Sequence, residues 1–527
     1  MKKTLLLPLF ALFATLVGCD ESAPKVYDPA VGEGYYILTP KVSDAPRING
    51  AEVFGVRPGS PFFHTITATG IRPMTFTADN LPNGLKMDAK GTITGKIADL
   101  TARSYIVKLT ASNAKGTVTE DFEIKVGEDI TLTPPMGWSS WIAQRREVSQ
   151  VNVINSAKLL LSHGLNNYGY SYVNIDDAWQ GKSRGGEFNA IQPNPAAFSD
   201  MMELSNQIHD MGFKFGIYST PWITSYAKFI GGSSNTKDGY WDESMIIDAK
   251  NKNVEGTASK FGKYRLDEND AKQWAAWNVD YMKYDWNPND SVSILSMSKA
   301  LRNSGRDIAF SVSNSCPMYL GDLCSDHVEV FRTNGDIRAR WDGDGSHINL
   351  RDNWNHHNEW LEKGFEGRPG HTPDPDFLMV GLQNYGSKDS LTADELYHHT
   401  SSFVLWGGPL LMSFDLSTLQ PFEKSLLTNV EMLDINQDRL SKPGRLKYVN
   451  GDIEVLVKEL ANGDKAFAIF NFGEKQSATV DFTSLGLSGK QLLRDVWRQE
   501  DIGTYSDSFS AVIPRHGVVV VRAKTVN

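Results

Sequence analysis

At 527 residues the chain exceeds what one compact core organises, so two to four domains are expected. A hydrophobic content of 40% and an aromatic content of 11% speak against a disordered chain. A formal net charge of −10 with no basic run argues against nucleic acid as a partner, and the three cysteines and eleven histidines show no metal-ligand spacing, so neither a metal nor another cofactor is expected.

Lys2 and Lys3 precede an apolar run over 5–17, the length of a signal peptide rather than of a membrane span. The run ends in Leu16-Val17-Gly18-Cys19, which matches the bacterial lipobox. Residues 1–18 are then a removed signal and Cys19 is the lipidation site. The chain would be anchored to a membrane of the bacterial cell envelope without spanning it. An ordinary secretory signal with an incidental Cys is the alternative. Asp20 and Glu21 resemble the surface-export signals of some outer-membrane lipoproteins, and the leaflet, periplasmic or cell-surface, stays open. Residues 19–45 are polar with several Pro and read as a tether.

Over 46–127 the segments TITATG, MTFTADN, GTITGKI, SYIVKLTASN and VTEDFEIKV alternate apolar and polar residues between turns, which predicts a small β-sandwich. The string LPNGLKMDAKGTITG resembles the immunoglobulin-like repeats of bacterial surface proteins, whose role would be spacing or glycan contact. From about residue 128 strand-like and helix-like pieces alternate. Strand candidates fall at 135–138, 172–175, 214–218, 281–284, 308–312, 328–331, 377–380 and 409–412. Between them, 199–212 reads as a helix with Ser199 as N-cap and Gly212 as stop, and 290–305 as another between Asp290 and Gly305. Eight such units predict a (β/α)8 TIM barrel over 128–440, and the lack of GxGxxG after the first strand weighs against dinucleotide binding. Over 441–527 alternation returns and predicts a C-terminal antiparallel β-sandwich. The fold class is thus multidomain: a TIM barrel flanked by an Ig-like sandwich and a second sandwich.

In such a barrel chemistry gathers at the C-terminal ends of the strands. Those ends carry Trp138 and Trp141, then Asp176, Asp177 and Trp179, then Tyr218 and Trp222, then Lys283 and Asp285. Ser313 and Asn314 follow at the fifth and Arg332 and Asp336 at the sixth, while Asp374 and Asp376 precede the seventh. Charged groups that bond hydroxyls, with aromatic rings for a sugar's apolar face, compose a carbohydrate pocket. Taken singly, Asp176-Asp177 could be a loop cap, Lys283 a structural ion-pair partner, and most Trp simple packing. Asp285 and Asp336 suit glycoside hydrolysis, one carboxylate attacking the anomeric carbon while the other protonates the departing oxygen. Asp342-Gly343-Asp344-Gly345 is faintly like a calcium loop but lacks its later Gly and Glu, and reads as a turn. Cys316 and Cys324 either pair as a disulfide or stay as buried thiols.

PPMGWSSW, YVNIDDAW, KFGIYS, DYMKYD, RTNGDI, DPDFLMVG and INQDRL occur in the order expected of glycoside hydrolase family 27, the α-galactosidases and their relatives. The resemblance runs from about Thr131 to the C-terminus. It implies Asp285 as nucleophile and Asp336 as acid/base, with Arg332 on the substrate. It implies Asp176 and Asp177 on the far hydroxyls, and Trp141, Tyr218 and Lys283 as the remaining sugar contacts. A retaining mechanism follows, with the two carboxyls roughly 5–5.5 Å apart. Asp336 would carry a raised pKa, and Lys283 would help keep Asp285 ionised. The sequence departs from the family near the pocket mouth. The Glu expected after the fifth strand, which binds the second hydroxyl, is absent from SVSNSCP. The Cys of IDDCW is Ala178, Trp286-Asn287 follow KYD, and STPW and a long insert follow Tyr218. An exo-acting α-galactosidase is the leading reading. The alternatives are an isomalto-dextranase or α-N-acetylgalactosaminidase, and a catalytically silent glycan-binding surface lipoprotein.

Overall fold

The computed structural model describes residues 26–526 apart from 30, 102, 228, 230–231, 236–245, 249–252, 255–260, 344–346 and 382–390. The expected signal and Cys19 lie outside the described residues, as does part of the Asp342–Gly345 turn.

Eight parallel strands form one sheet: β1 Met136–Ser139, β2 Tyr172–Asn174, β3 Lys214–Ser219, β4 Tyr281–Asp285, β5 Ala309–Ser313, β6 Val330–Arg332, β7 Thr372–Asp374 and β8 Leu410–Met412. The order β7-β6-β5-β4-β3-β2-β1-β8 closes on itself through a parallel bridge between Leu378 and Met412. This is the expected (β/α)8 barrel, with a correction at the seventh strand. The apolar run 377–380, buried at 378–380, is not the strand. Asp376 takes φ +86°, turning the chain away after β7, and only the Leu378 N–H reaches β8, on the Leu411 carbonyl at 2.8 Å. The 199–212 helix begins at Met201 with Asp200, not Ser199, as N-cap: the Asp200 carboxylate accepts the Glu203 N–H at 2.9 Å.

The barrel floor is apolar, with Tyr172, Tyr281, Ala309, Val330 and Leu411 packed together. Above it the lining turns polar, and the charged side chains that line the cavity stand at the strand exits. INQD, one of the motifs that carry the family resemblance, is structural. Asn436 Nδ2 donates to the Gly408 carbonyl at 2.9 Å and Gln437 Nε2 to that of Pro134 at 2.9 Å, tying together the chain entering β8 and β1.

The Ig-like domain pairs a four-stranded sheet with a three-stranded one around Phe62, Ile93, Val107, Phe122 and Ile124. The C-terminal sandwich sets a six-stranded antiparallel sheet against a three-stranded one around Val455, Phe467, Val480 and Phe509. Of the tether expected over 19–45, segments 26–27 and 35–39 are docked instead. Val26–Tyr27 adds a parallel strand to Ser508–Ile513, and the Tyr397 hydroxyl donates to the Tyr36 carbonyl at 2.9 Å. The tyrosines in this stretch explain the difference, since they supply apolar area that a polar spacer lacks.

Arg57 clamps the Ig-like domain to the barrel floor. Its Nη2 meets Glu329 Oε1 at 2.7 Å with side-chain exposures of 9% and 4%, and Nε donates to the Glu128 carbonyl at 3.0 Å. The other Glu329 oxygen accepts the Phe310 N–H at 2.9 Å. Arg57→Ala would leave Glu329 buried without its cation and is expected to destabilise the chain by about 3–5 kcal/mol. Urea unfolding of the full chain measures this, and a loss below about 1 kcal/mol, the range of exposed pairs, would overturn the clamp.

Candidate active site

Strand alternation builds the centre of the site. On β4, Lys283 and Asp285 point into the barrel, while Met282 packs in the main core and the Tyr284 hydroxyl bonds Asp267 outside. Asp285 pairs in register with Ser313 of β5. The exits of β1 to β6, and the turn after β7, surround a cavity of about 160 Å³. All eight pocket residues expected from the sequence line it: Trp141, Asp176, Asp177, Tyr218, Lys283, Asp285, Arg332 and Asp336.

The polar groups fall into two sets. In the first, Lys283 Nζ donates to Asp176 Oδ2 at 2.9 Å, and the Ser139 hydroxyl donates to the same oxygen at 3.2 Å. Asp177 accepts the Ala178 N–H at 2.6 Å and the Ala227 N–H at 2.7 Å, one on each oxygen. In the second, Arg332 reaches Asp376 Oδ1 at 3.0 Å, Ser313 Oγ at 3.3 Å and Asp336 Oδ1 at 3.4 Å. Asp376 Oδ2 accepts the Ile337 N–H at 2.9 Å, so this carboxylate holds both Arg332 and the turn bearing Asp336. Asp285 lies between the sets. Its Oδ2 accepts the Tyr218 hydroxyl at 3.1 Å, and its Oδ1 is buried with no hydrogen-bond partner among the described residues. An ionised carboxylate with one oxygen fixed and the other free is placed to attack an electrophile.

The electrostatics reverse one expectation. Burial pushes Asp285 up to about 7; Lys283 pulls it down, and Asp336 pushes it further up. Burial also acts upward on Asp336, but Arg332 and Lys283 outweigh it and hold its carboxyl below the ordinary range. The sequence had pointed to Asp336 as the raised acid. It is instead the better paired of the two, and its side chain is 54% exposed toward the cavity. Lys283 spends its hydrogen bond on Asp176, and its field alone does not offset the burial of Asp285.

Six further residues line the cavity: Asn314 and Asp376, which the sequence placed at strand ends without a role, and Ile142, Tyr226, Ile337 and Phe377, which it did not single out for the pocket. Asp376 had a signal in the repeated acid of DPD. Tyr226 had none, because it arrives on the insert after β3. Cys316 and Cys324 are buried outside this lining, with unbonded sulfurs 3.0 Å apart.

A family model described as Alpha galactosidase A matches residues 133–240 and 244–438. The chain belongs to glycoside hydrolase family 27, the α-galactosidase family. It is a glycosidase by that membership. The model of the family's C-terminal β-sandwich domain matches residues 450–523, and that of the He_PIG Ig domain matches 45–127. The α-galactosidase of Coffea arabica is 30% identical over 76% of this chain and 96% of its own. The α-N-acetylgalactosaminidase of Gallus gallus is 29% identical over 74% and 93%. A solved structure of a candidate α-galactosidase from Bacteroides fragilis superposes with a TM-score of 0.80 at 26% identity, over 92% of this chain and 99% of that one.

Proposed function

We propose that the protein is a retaining exo-α-galactosidase that removes terminal α-linked galactose from oligo- or polysaccharides. The observation that carries this is the free, buried Oδ1 of Asp285 in the same small cavity as the cavity-exposed Asp336. In this reading Asp285 attacks the anomeric carbon while Asp336 gives its proton to the departing oxygen. A covalent glycosyl-enzyme forms, and Asp336 then takes a proton from water to release the sugar with its configuration kept. Asp176 and Lys283, bonded to each other, present opposite charges to vicinal hydroxyls, and Trp141 offers an apolar face.

One observation favours a second reading, an α-N-acetylgalactosaminidase. The Glu expected for the second hydroxyl is missing, and Ser313 and Asn314 stand at the exit of β5. Localisation belongs to the same proposal: the lipobox ending in Cys19 supports an envelope lipoprotein.

A single assay tests both parts. Membrane and soluble fractions from cells making the full chain are supplied with nitrophenyl α-galactoside, nitrophenyl N-acetyl-α-galactosaminide and dextran. Membrane-bound galactoside hydrolysis that becomes soluble in Cys19→Ala is the expected result. Preference for the galactosaminide selects the second reading, and dextran cleavage alone an isomalto-dextranase. No hydrolysis of any of the three would defeat the enzyme reading in favour of a silent glycan-binding protein.

A further inference from the structure

Resting on the galactosidase reading, we propose that Tyr226, with Asn314, takes over the place of the missing Glu. This pair would read the group on C2 of the sugar, favouring a free hydroxyl and rejecting an acetamido group.

The position follows from neighbours. Asp285 Oδ1 marks where the anomeric carbon must lie, and Ser313 is its register partner on the adjacent strand. Asn314 follows Ser313, and Arg332 bonds both Ser313 and Asp336. The ring carbon next to C1 on this flank therefore meets Asn314 and Arg332. Tyr226 closes the same flank. It lines the cavity together with Asn314, and both Asp285 and Asp336 act on it electrostatically.

Residues 222–227, which deliver Tyr226, are held in place. The ring packs edge-on against the buried Trp222, with centroids 4.9 Å apart. The next residue, Ala227, donates its N–H to Asp177 Oδ2 at 2.7 Å, and the Ser225 hydroxyl accepts the Phe229 N–H at 3.2 Å. Asp177, which the family resemblance assigns to the sugar, is thus also the anchor of the loop. A buried carboxylate holding the residue next to Tyr226, with the ring packed on Trp222, gives Tyr226 a defined place instead of a swinging one. A phenol hydroxyl there can bond a 2-hydroxyl, whereas an acetamido group is bulkier by an acetyl and would have to displace the ring.

The test uses the full-length chain, with Tyr226→Phe and Tyr226→Ala, on three substrates: nitrophenyl α-galactoside, its 2-deoxy analogue and the N-acetyl-α-galactosaminide. Tyr226→Phe is expected to lower kcat/KM on the galactoside by about 10-fold or more while leaving the 2-deoxy substrate within about 2-fold, because only the former has the bonded hydroxyl to lose. Tyr226→Ala is expected to narrow the galactoside-to-galactosaminide ratio by about 10-fold. Equal losses on the galactoside and its 2-deoxy analogue, or an unchanged ratio in Tyr226→Ala, would overturn the assignment. The Phe variant decides if the Ala variant does not fold. Wild-type preference for the galactosaminide overturns this inference but leaves the family chemistry standing. A wild type inactive on all three defeats the functional reading, and this inference with it.

Discussion

Asp285→Ala should abolish turnover of nitrophenyl α-galactoside, with a loss of at least about 10⁴-fold, or roughly 5 kcal/mol of transition-state stabilisation. No other described carboxylate can replace it. Asp176 is held by Lys283 and Ser139, Asp177 by two backbone N–H groups, and Asp376 by Arg332 and Ile337. The variant opens a hole on the attacking face, which azide can fill. Azide would displace the nitrophenolate in one step, forming a carbon–nitrogen bond and breaking the carbon–oxygen bond, so the product is β-galactosyl azide. If residue 285 were the acid/base instead, azide would intercept a glycosyl-enzyme and give the α-azide. The anomeric coupling in the product's proton NMR spectrum decides between the two roles.

The isosteric Asp285→Asn should be inactive and more stable. In the folded state the carboxyl is raised from the ordinary 3.8 to about 7, so the proton is held more tightly than in the unfolded chain. The cost of ionising it is absent below pH 4, grows between 4 and 7, and is complete above 7, where it amounts to roughly 4 kcal/mol. The amide that replaces the carboxyl never ionises. The variant's Tm should exceed that of the wild type at pH 8, and the two should converge at pH 4. A lower Tm at pH 8 would show that the buried charge is compensated by contacts the fold does not display.

Which parts of this site the sequence made legible follows from how each residue reaches it. Lys283 and Asp285 were readable because β4 alternates strictly, so two residues on one strand face one side. Asp176 and Asp177 follow directly on β2, and Arg332 ends β6. Asp336 is only four residues beyond Arg332. Tyr226 was not readable, since no periodicity places a residue on a loop folded back over a neighbouring exit. The seventh strand failed for another reason. Phe377-Leu378-Met379-Val380 has a strand's composition, but burial alone produces that composition, and the positive φ at Asp376 is invisible in a string of letters. The docking of 26–27 and 35–39 was hidden because composition weighs polar residues against a few tyrosines without knowing that Tyr27, at 2.6 Å, meets Asp495 of a distant sandwich. Least legible was the proton's location. It depends on which carboxylate Arg332 touches, and that is set jointly by Asp376, Ser313 and Asp336.

That location predicts the pH profile. Retaining hydrolysis needs one proton on the pair, on Asp336, with Asp285 ionised. In the empty site Asp336 titrates below the ordinary carboxylate range and Asp285 at about 7. Between those values the pair carries one proton, held mainly by Asp285, and the productive arrangement is its minor tautomer. kcat/KM should therefore be bell-shaped. It falls below the depressed carboxyl value, where a second proton blocks the nucleophile. It falls again above about 7, where the last proton is lost. Substrate has a way to shift the tautomer: the Arg332–Asp336 contact is long at 3.4 Å, and a sugar hydroxyl that engages Arg332 weakens it. Asp336→Asn separates the two limbs. On an activated nitrophenyl galactoside its kcat/KM should fall by about 10²–10⁴-fold and lose the alkaline limb, because only the ionisation of Asp285 remains to be satisfied. Rate would then rise with pH to a plateau. The midpoint should lie below the wild-type alkaline limb, since removing the Asp336 charge takes away one of the influences that raise Asp285. A variant that keeps a bell with the same alkaline limb would show that the proton lost near 7 belongs to some other group, and the assignment of Asp285 and Asp336 as one coupled pair would have to be abandoned.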